Sequence, residues 1–157
     1  MDKDEFSRRI IDMLPMLHRV AWSQLAQAED REDAVQETIR RAWEKRSRLR
    51  EERYMQTWVV RILLNVCDDM RRRAQRMSPE EWQDVASADQ TGLETPLLDA
   101  LMSLEEKFRL PLQLRYVEDY SVSEVARMLR LPQGTVKSRL ARGRDKLREM
   151  LKEEVFE

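Results

Sequence analysis

The clearest chemical pattern lies near the C-terminal end of the chain, where apolar and basic residues repeat at helical spacing. The apolar stripe consists of Val136, Leu140, Gly143, Leu147 and Met150. At about 100° per residue, the opposite side of the helix carries Ser138, Ala141, Arg142 and Asp145. Basic residues flank that side at Lys137, Arg139, Arg144, Lys146 and Arg148. This arrangement suits the major groove of duplex DNA, because the middle row can contact base edges while the basic residues on either side contact phosphates.

The side chains of this face predict individual DNA contacts. We expect Arg142 to contact guanine through two hydrogen bonds, Ser138 to make an adaptable polar contact, and Ala141 to touch a thymine methyl group. The complete predicted contact set is Thr135, Lys137, Ser138, Arg139, Ala141, Arg142 and Arg144. The alternative interpretation is an amphipathic helix whose basic face is only solvated.

A second helix and a tight turn precede this one, as in a helix-turn-helix. Ser121 and Glu124 are spaced as a capping box. Leu131-Pro132 separates the two helices, because proline disfavours helix in the residue before it and suits a first helical turn. Thr95-Pro96 has the same arrangement of cap and proline at an earlier helix start. The pattern predicts helices over 96–103, 105–118, 121–130 and 133–153.

The N-terminal half predicts three helices. The first covers about 3–27, with a kink or a new helix start at Pro15. The second begins at Asp30, because Asp30 and Asp33 are spaced as a capping box. The third covers about 54–75, and its polar face carries a row of Arg61, Asn65, Asp68 and Arg72.

The region between these halves is acidic and lacks helical periodicity. Residues 76–106 contain one Arg and eight acidic residues, whereas residues 121–152 contain nine Lys or Arg and three acidic residues. One short helix around Trp82 is compatible with the sequence. The predicted fold class is therefore all-α: two small helical domains joined by an acidic flexible linker, the C-terminal domain a helix-turn-helix.

Composition excludes several other classes of protein. Cys67 is the single cysteine and His18 the single histidine, which excludes an internal disulfide framework and a Cys/His metal cluster. The sequence has no phosphate-binding glycine loop and no nucleophile with a base partner. It also has no secretory signal and no apolar stretch near the roughly 20 residues of a membrane span. We expect a cytoplasmic protein that is not an enzyme, needs no cofactor and does not insert into a membrane.

Two separate motifs resemble the extracytoplasmic-function (ECF) family of bacterial RNA polymerase sigma factors. The C-terminal motif is Ser123-Glu124-Val125-Ala126 followed by the run from Gly134-Thr135-Val136-Lys137-Ser138-Arg139 to Arg144. The N-terminal motif comprises Glu32-Asp33-Ala34-Val35-Gln36-Glu37-Thr38, Arg41-Ala42-Trp43 and Thr57-Trp58-Val59-Val60-Arg61-Ile62. Their order and separation cover nearly the whole chain. The resemblance implies a region 2-like domain over 1–76, a linker over 77–95 and a region 4-like domain over 96–157.

The resemblance also implies roles for individual residues. The β′ clamp helices of core polymerase would bind Asp33, Gln36, Glu37, Arg40 and Trp43. The minus-ten promoter element would be melted and read by the loop 47–56 together with Arg61, Asn65, Asp68, Arg71 and Arg72. The helix-turn-helix would hold the minus-thirty-five element as duplex DNA, and the other implied partners are the β flap and an anti-sigma factor.

The match to the family departs at three positions. Arg130 stands where the family often has glycine, Gly143 where it usually has alanine, and Glu105 where proline is common. Gly143 inside a helix costs up to about 1 kcal/mol relative to alanine, which close packing would explain. The alternative function is an autonomous helix-turn-helix regulator that binds operator DNA as a dimer, but it leaves the N-terminal motif unexplained.

Overall fold

The computed structural model describes residues 1–76 and 96–156. These residues belong to two compact units, and each is described by itself. The predicted linker over 77–95, the short helix around Trp82 and the cap at Thr95 lie outside the described residues. The regular structure of the described residues is helical throughout, which confirms the all-α prediction. No helix in these two ranges has the length and apolar character needed to cross a lipid bilayer.

The described residues of the N-terminal unit, 1–76, form a bundle of three helices. They are α1 (Lys3–Gln24), α2 (Ala28–Glu44) and α3 (Met55–Gln75), with short 3-10 turns at Arg46–Arg48 and Glu52–Tyr54. Each helix contacts the other two. The core consists of apolar side chains that are almost fully buried: Leu17, Val20, Val35, Val59, Val60 and Leu63.

The predicted start of the second helix in this unit is wrong. The helix α2 begins at Ala28 with Gln27 as its N-cap, so Asp30 and Asp33 do not form the expected capping box. Asp30 lies instead in the first turn with Glu29, where a carboxylate is favoured by the helix dipole. Helix α1 contains Pro15 and ends at Gln24. Of the two expectations at Pro15, a kink or a new helix start, the new start is excluded.

The described residues of the C-terminal unit, 96–156, contain four helices. They are α4 (Pro96–Ser103), α5 (Glu106–Leu112), α6 (Val122–Leu129) and α7 (Gln133–Phe156), and α5 continues into a wider π-helical turn over Gln113–Val117. In that turn the N–H of Glu118 donates to the carbonyl oxygen of Gln113 at 3.0 Å. The helix predicted over 105–118 is therefore confirmed as helical, but its second half has a different hydrogen-bond pattern.

Local interactions define both ends of α6. The predicted capping box is confirmed: Ser121 Oγ accepts from the Glu124 N–H at 3.1 Å, and Glu124 Oε1 accepts from the Ser121 N–H at 3.0 Å. At its other end α6 stops at Arg130, which has the left-handed backbone conformation with φ 56°. This conformation costs a residue other than glycine roughly 1–2 kcal/mol, which explains why glycine is common there in the family.

Gly143 lies where α7 crosses α5. A Cβ atom at this position would lie 2.7 Å from Leu112 Cδ1 and 3.4 Å from Phe108 Cβ. The close approach of the two helices thus confirms the packing explanation for a glycine inside α7. This contact fixes the position of α7 on its scaffold and hence the direction of its opposite face.

Candidate polymerase and nucleic-acid interfaces

The α7 helix presents its predicted DNA-contacting side chains away from the core. Val136 and Leu140 are buried at 0% and 3% exposure, and Gly143 is buried against α5. Thr135 and Arg139 are half-buried, and the exposed members of the predicted set are Lys137, Ser138, Ala141, Arg142 and Arg144. The apolar stripe and the basic face therefore lie on opposite sides of one helix, as the spacing predicted.

Most cations of this face are not neutralised. Within residues 1–76 and 96–156, Lys137, Arg139 and Arg142 have no ion-pair or hydrogen-bond partner. Arg144 donates through Nη1 to the hydroxyl oxygen of Tyr116 at 2.6 Å, a neutral partner that leaves the charge uncompensated. Cations of this kind gain free energy when they replace the condensed counterions of DNA phosphates.

The polar row of α3 contains both outward and engaged side chains. Asn65 and Arg72 are exposed, whereas Arg61 and Asp68 are half-buried. Arg71 belongs to the predicted set but does not point freely into solvent. Its guanidinium binds the carboxylate of Asp68 and the side-chain oxygen of Gln24, the latter at 2.8 Å.

The predicted loop 47–56 consists largely of the two 3-10 turns that lead into α3. The Arg46 guanidinium stacks 4.1 Å above the ring of Trp43 and donates to its carbonyl oxygen at 2.7 Å. Arg53 lies 4.7 Å above the ring of Tyr54. Cation–aromatic stacks of this type hold basic side chains near rings on which nucleic-acid bases could stack.

The predicted polymerase-binding residues lie together on α2. Asp33, Gln36 and Arg40 are exposed, and Glu37 is half-buried. Trp43 is 37% exposed, and its ring packs edge-on against Phe6 with 6.0 Å between ring centroids. A partly exposed aromatic side chain that is anchored by a second ring is a typical contact residue of protein interfaces.

Glu37 is the electrostatic centre of this surface. Its Oε1 accepts from Arg40 Nη2 at 2.6 Å and from Arg41 Nε at 2.9 Å. The hydrogen bond from Arg40, followed by that from Arg41, lowers the pKa of Glu37 from 4.5 to about 2. Because Arg40 also donates to Glu44 at 2.6 Å, the charged groups of α2 form a connected network in which Glu37 stays ionised.

Sequence reasoning missed the residues that join this network to α3. A groove of about 630 Å³ lies between α2 and α3, lined on the α3 side by Val66, Asp69, Met70 and Arg73. Arg41 Nη1 approaches Asp69 Oδ2 at 3.9 Å across it. The i,i+4 spacing of Asp69 and Arg73 was a visible signal, but the partner on α2 is distant in sequence. Tyr116 and Gln24 were missed for the same reason.

Comparison with known proteins shows the class that this arrangement defines. The profile of sigma-70 region 2 matches residues 10–77, and that of sigma-70 region 4 matches residues 100–149. Two such regions in this order are those of a transcription initiation factor that acts with bacterial RNA polymerase.

Individual relatives identify the family within that class. The chain is 35% identical to the ECF RNA polymerase sigma factor SigM of Mycobacterium tuberculosis over 139 residues, or 86% of this chain and 71% of SigM. It is 27% identical to the ECF sigma factor SigW of Bacillus subtilis, covering 97% and 91% of the two chains. The chain belongs to the ECF family of RNA polymerase sigma factors. Its function is to direct core RNA polymerase to specific promoters.

A solved structure agrees with this assignment. The sigma factor RpoE of Bartonella quintana, determined in complex with the anti-sigma factor NepR, superimposes with a TM-score of 0.81 and 26% sequence identity. The match covers 94% of this chain and 97% of RpoE. The bundle and the helix-turn-helix thus occur together in a sigma factor of known structure.

Proposed function

We propose that this alternative sigma factor uses three separate surfaces at a promoter. The α2 surface binds the β′ clamp helices, α3 and the loop before it melt and read the minus-ten element, and α7 reads the minus-thirty-five element. The observation that carries the proposal is the basic face of α7. Lys137, Arg139 and Arg142 are not neutralised within the described residues, and the opposite side of the helix is packed into its domain.

The α2 surface is suited to a basic helical partner. It combines an exposed carboxylate at Asp33, an amide at Gln36, an ionised Glu37 and the anchored ring of Trp43. Arg40 serves there as the ligand that keeps Glu37 in place. The mixture of one aromatic anchor with a few oriented polar groups matches the residues that usually dominate the free energy of binding.

The α3 surface is suited to single-stranded DNA. Asn65 and Asp68 supply groups for the edges of an unstacked base, and Arg61 and Arg72 supply cations for the displaced strand. Arg71 takes part through its bond to Asp68. The preceding turn adds the ring of Tyr54, which already carries the stacked guanidinium group of Arg53.

The proposed binding functions are divided between the two domains. We infer a polymerase- and minus-ten-binding domain over 1–76, a linker over 77–95, and a domain over 96–157 that binds the minus-thirty-five element and the β flap. Both promoter elements lie on one DNA molecule, so a long acidic connection lets the two domains bind together. Polymerase supplies the chemistry of RNA synthesis, so the sigma factor has no catalytic residue or cofactor of its own, and it acts where polymerase and promoters are, in the cytoplasm.

An anti-sigma factor is the proposed regulator. The solved structure of RpoE contains the anti-sigma factor NepR, and the present chain shares that fold. A protein that covers α2 or α7 would block polymerase or promoter binding without altering the sigma factor itself.

In vitro transcription tests the proposed function. Purified bacterial core polymerase is incubated with and without the protein on fragmented genomic DNA of its host. We expect discrete new transcripts whose start sites share two spaced upstream elements. A protein that produces no transcripts and does not co-migrate with core polymerase would instead be an autonomous operator-binding regulator.

A further inference from the structure

We propose that Gln24, at the end of α1, is a positioning residue that acts through Arg71 to orient the Asp68 carboxylate toward an unstacked minus-ten base carrying an amino group. This inference rests on the proposed function of α3. It assigns a role in promoter reading to a helix that otherwise contributes only packing.

The inference begins with a buried polar pair at the end of α1. Ser23 and Gln24 are each 5% exposed although both are polar. Ser23 Oγ donates to the carbonyl oxygen of Val20 at 2.9 Å, and Gln24 Nε2 donates to Ser23 Oγ at 3.3 Å. A buried amide whose donor is used in this way has a fixed orientation, so its side-chain oxygen points in one direction.

Arg71 on α3 donates a hydrogen bond to this oxygen. Its Nη1 donates to Gln24 Oε1 at 2.8 Å and to the carbonyl oxygen of Gln24 at 3.4 Å. These contacts join residues 47 positions apart in the sequence. The arginine side chain is 21% exposed, so it lies mostly within the unit rather than on its surface.

The second amino group of Arg71 reaches Asp68. Nη2 donates to Asp68 Oδ1. A guanidinium is planar and rigid, so fixing Nη1 also fixes the direction of Nη2. The orientation set by Gln24 is therefore passed to the carboxylate of Asp68.

The oriented carboxylate of Asp68 is accessible from solvent. Its side chain is 47% exposed, so an approaching base could reach it. An ionised carboxylate only accepts hydrogen bonds, so it favours a base edge with an exocyclic amino group, that of cytosine, adenine or guanine. A carboxylate held in one orientation discriminates better than a freely rotating one because the wrong base then leaves it unpaired.

The test measures base preference rather than total activity. Transcription by the holoenzyme is assayed on a set of promoters, each with one substituted minus-ten base, for the wild type and for the variants D68A, Q24L and Q24E. We expect D68A to lose about tenfold discrimination at a single position occupied by a base with an exocyclic amino group. Q24L should lose discrimination at that same position. Q24E keeps an acceptor oxygen for Arg71 but loses the donor to Ser23, so it should retain part of the discrimination.

Two further variants separate positioning from folding and from general DNA binding. R71K keeps the positive charge but cannot hold Gln24 and Asp68 in one rigid fork, so it should reproduce Q24L even where Q24L folds poorly. R72A, at the exposed neighbouring arginine, should weaken all promoters equally.

Several outcomes would overturn the inference and leave the proposed function intact. These are unchanged base preference in both Q24L and R71K, a uniform loss on all promoters in both, or no position-specific effect of D68A. If the wild type yields no transcripts at all, the proposed function fails first, and the inference fails with it.

Discussion

The basic face of α7 and the polar faces of α2 and α3 are built in opposite ways. On α7, Lys137 and Arg142 are exposed and have no partner within the described residues. On α2 and α3, Glu37 and Asp68 are each held by arginines of the same helix. The α7 surface leaves its charges available to a ligand. The α2 and α3 surfaces hold their charged groups in fixed positions before any ligand binds.

The difference corresponds to the two states of DNA that the domains would bind. The phosphates of duplex DNA are regularly spaced and present in advance, so exposed cations can find them and release counterions. A flipped base has to be unstacked at a cost of a few kcal/mol, and groups that are already oriented lose less entropy in recovering that cost. We therefore expect DNA binding by the α7 face to depend on charge, and base recognition by the α3 face to depend on orientation.

The largest effect is expected at Arg142, because it is both exposed and central on α7. Substitution R142A should cost about 1–3 kcal/mol of binding free energy and relax the preference at one base of the minus-thirty-five element. The measurement is promoter selection from a randomised duplex by the holoenzyme. An unchanged base preference would show that Arg142 contributes charge alone.

The next prediction concerns the scaffold that directs the α7 face. Substitution G143A adds a Cβ atom 2.7 Å from Leu112 Cδ1. Overpacking costs about 1–3 kcal/mol, and the better helix propensity of alanine returns up to about 1 kcal/mol. We expect a net loss of about 1 kcal/mol in the free energy of unfolding, measured by chemical denaturation. The same change in an L112V background should cost less, and an equal cost in both backgrounds would contradict the steric explanation.

Salt dependence compares the two surfaces directly. Substitution K137Q should reduce the slope of log K against log salt by about 0.9 if Lys137 contacts a duplex phosphate, and R72Q by about 0.7 if Arg72 contacts a single strand. The two slopes are measured with duplex and premelted promoter DNA, respectively. If K137Q left the duplex slope unchanged, the proposed charge-dependent role of α7 would lose its main support at this position.

The sequence predicted the α7 surface well because its signals are local. The apolar stripe and the capping box of Ser121 and Glu124 involve residues a few positions apart, and the structure confirms both. The expected cap at Asp30 was wrong because α2 starts two residues earlier, where Arg31 donates to the carbonyl oxygen of Leu25 at 2.7 Å. Such a contact between consecutive helices is not encoded in cap preferences.

The α2 and α3 surfaces were predicted only as sets of residues. The family motif placed Glu37, Asp68 and Arg71 on them, but not the bonds that join those residues to their neighbours. Arg41 meets Asp69 across a groove, and Arg71 meets Gln24 from a third helix. Tertiary packing creates these contacts, so periodicity along one helix cannot indicate them. The orientation of these side chains could therefore be determined only from the structure.

The smallest predicted effect tests whether the α2 charges are fixed in the free protein. The pKa of Glu37 is lowered from 4.5 to about 2 by hydrogen bonds from Arg40 and Arg41. A carboxyl group with a lowered folded-state pKa stabilises the fold above its unfolded pKa, and this contribution is lost as the pH falls from about 4.5 to about 2. Because the pair is partly solvated, the contribution should stay below about 1 kcal/mol. Denaturation midpoints of the wild type should fall more steeply over this range than those of E37Q. The double variant R40Q/R41Q should show the same flatter profile, and parallel profiles for all three proteins would mean that Glu37 is not held before polymerase binds.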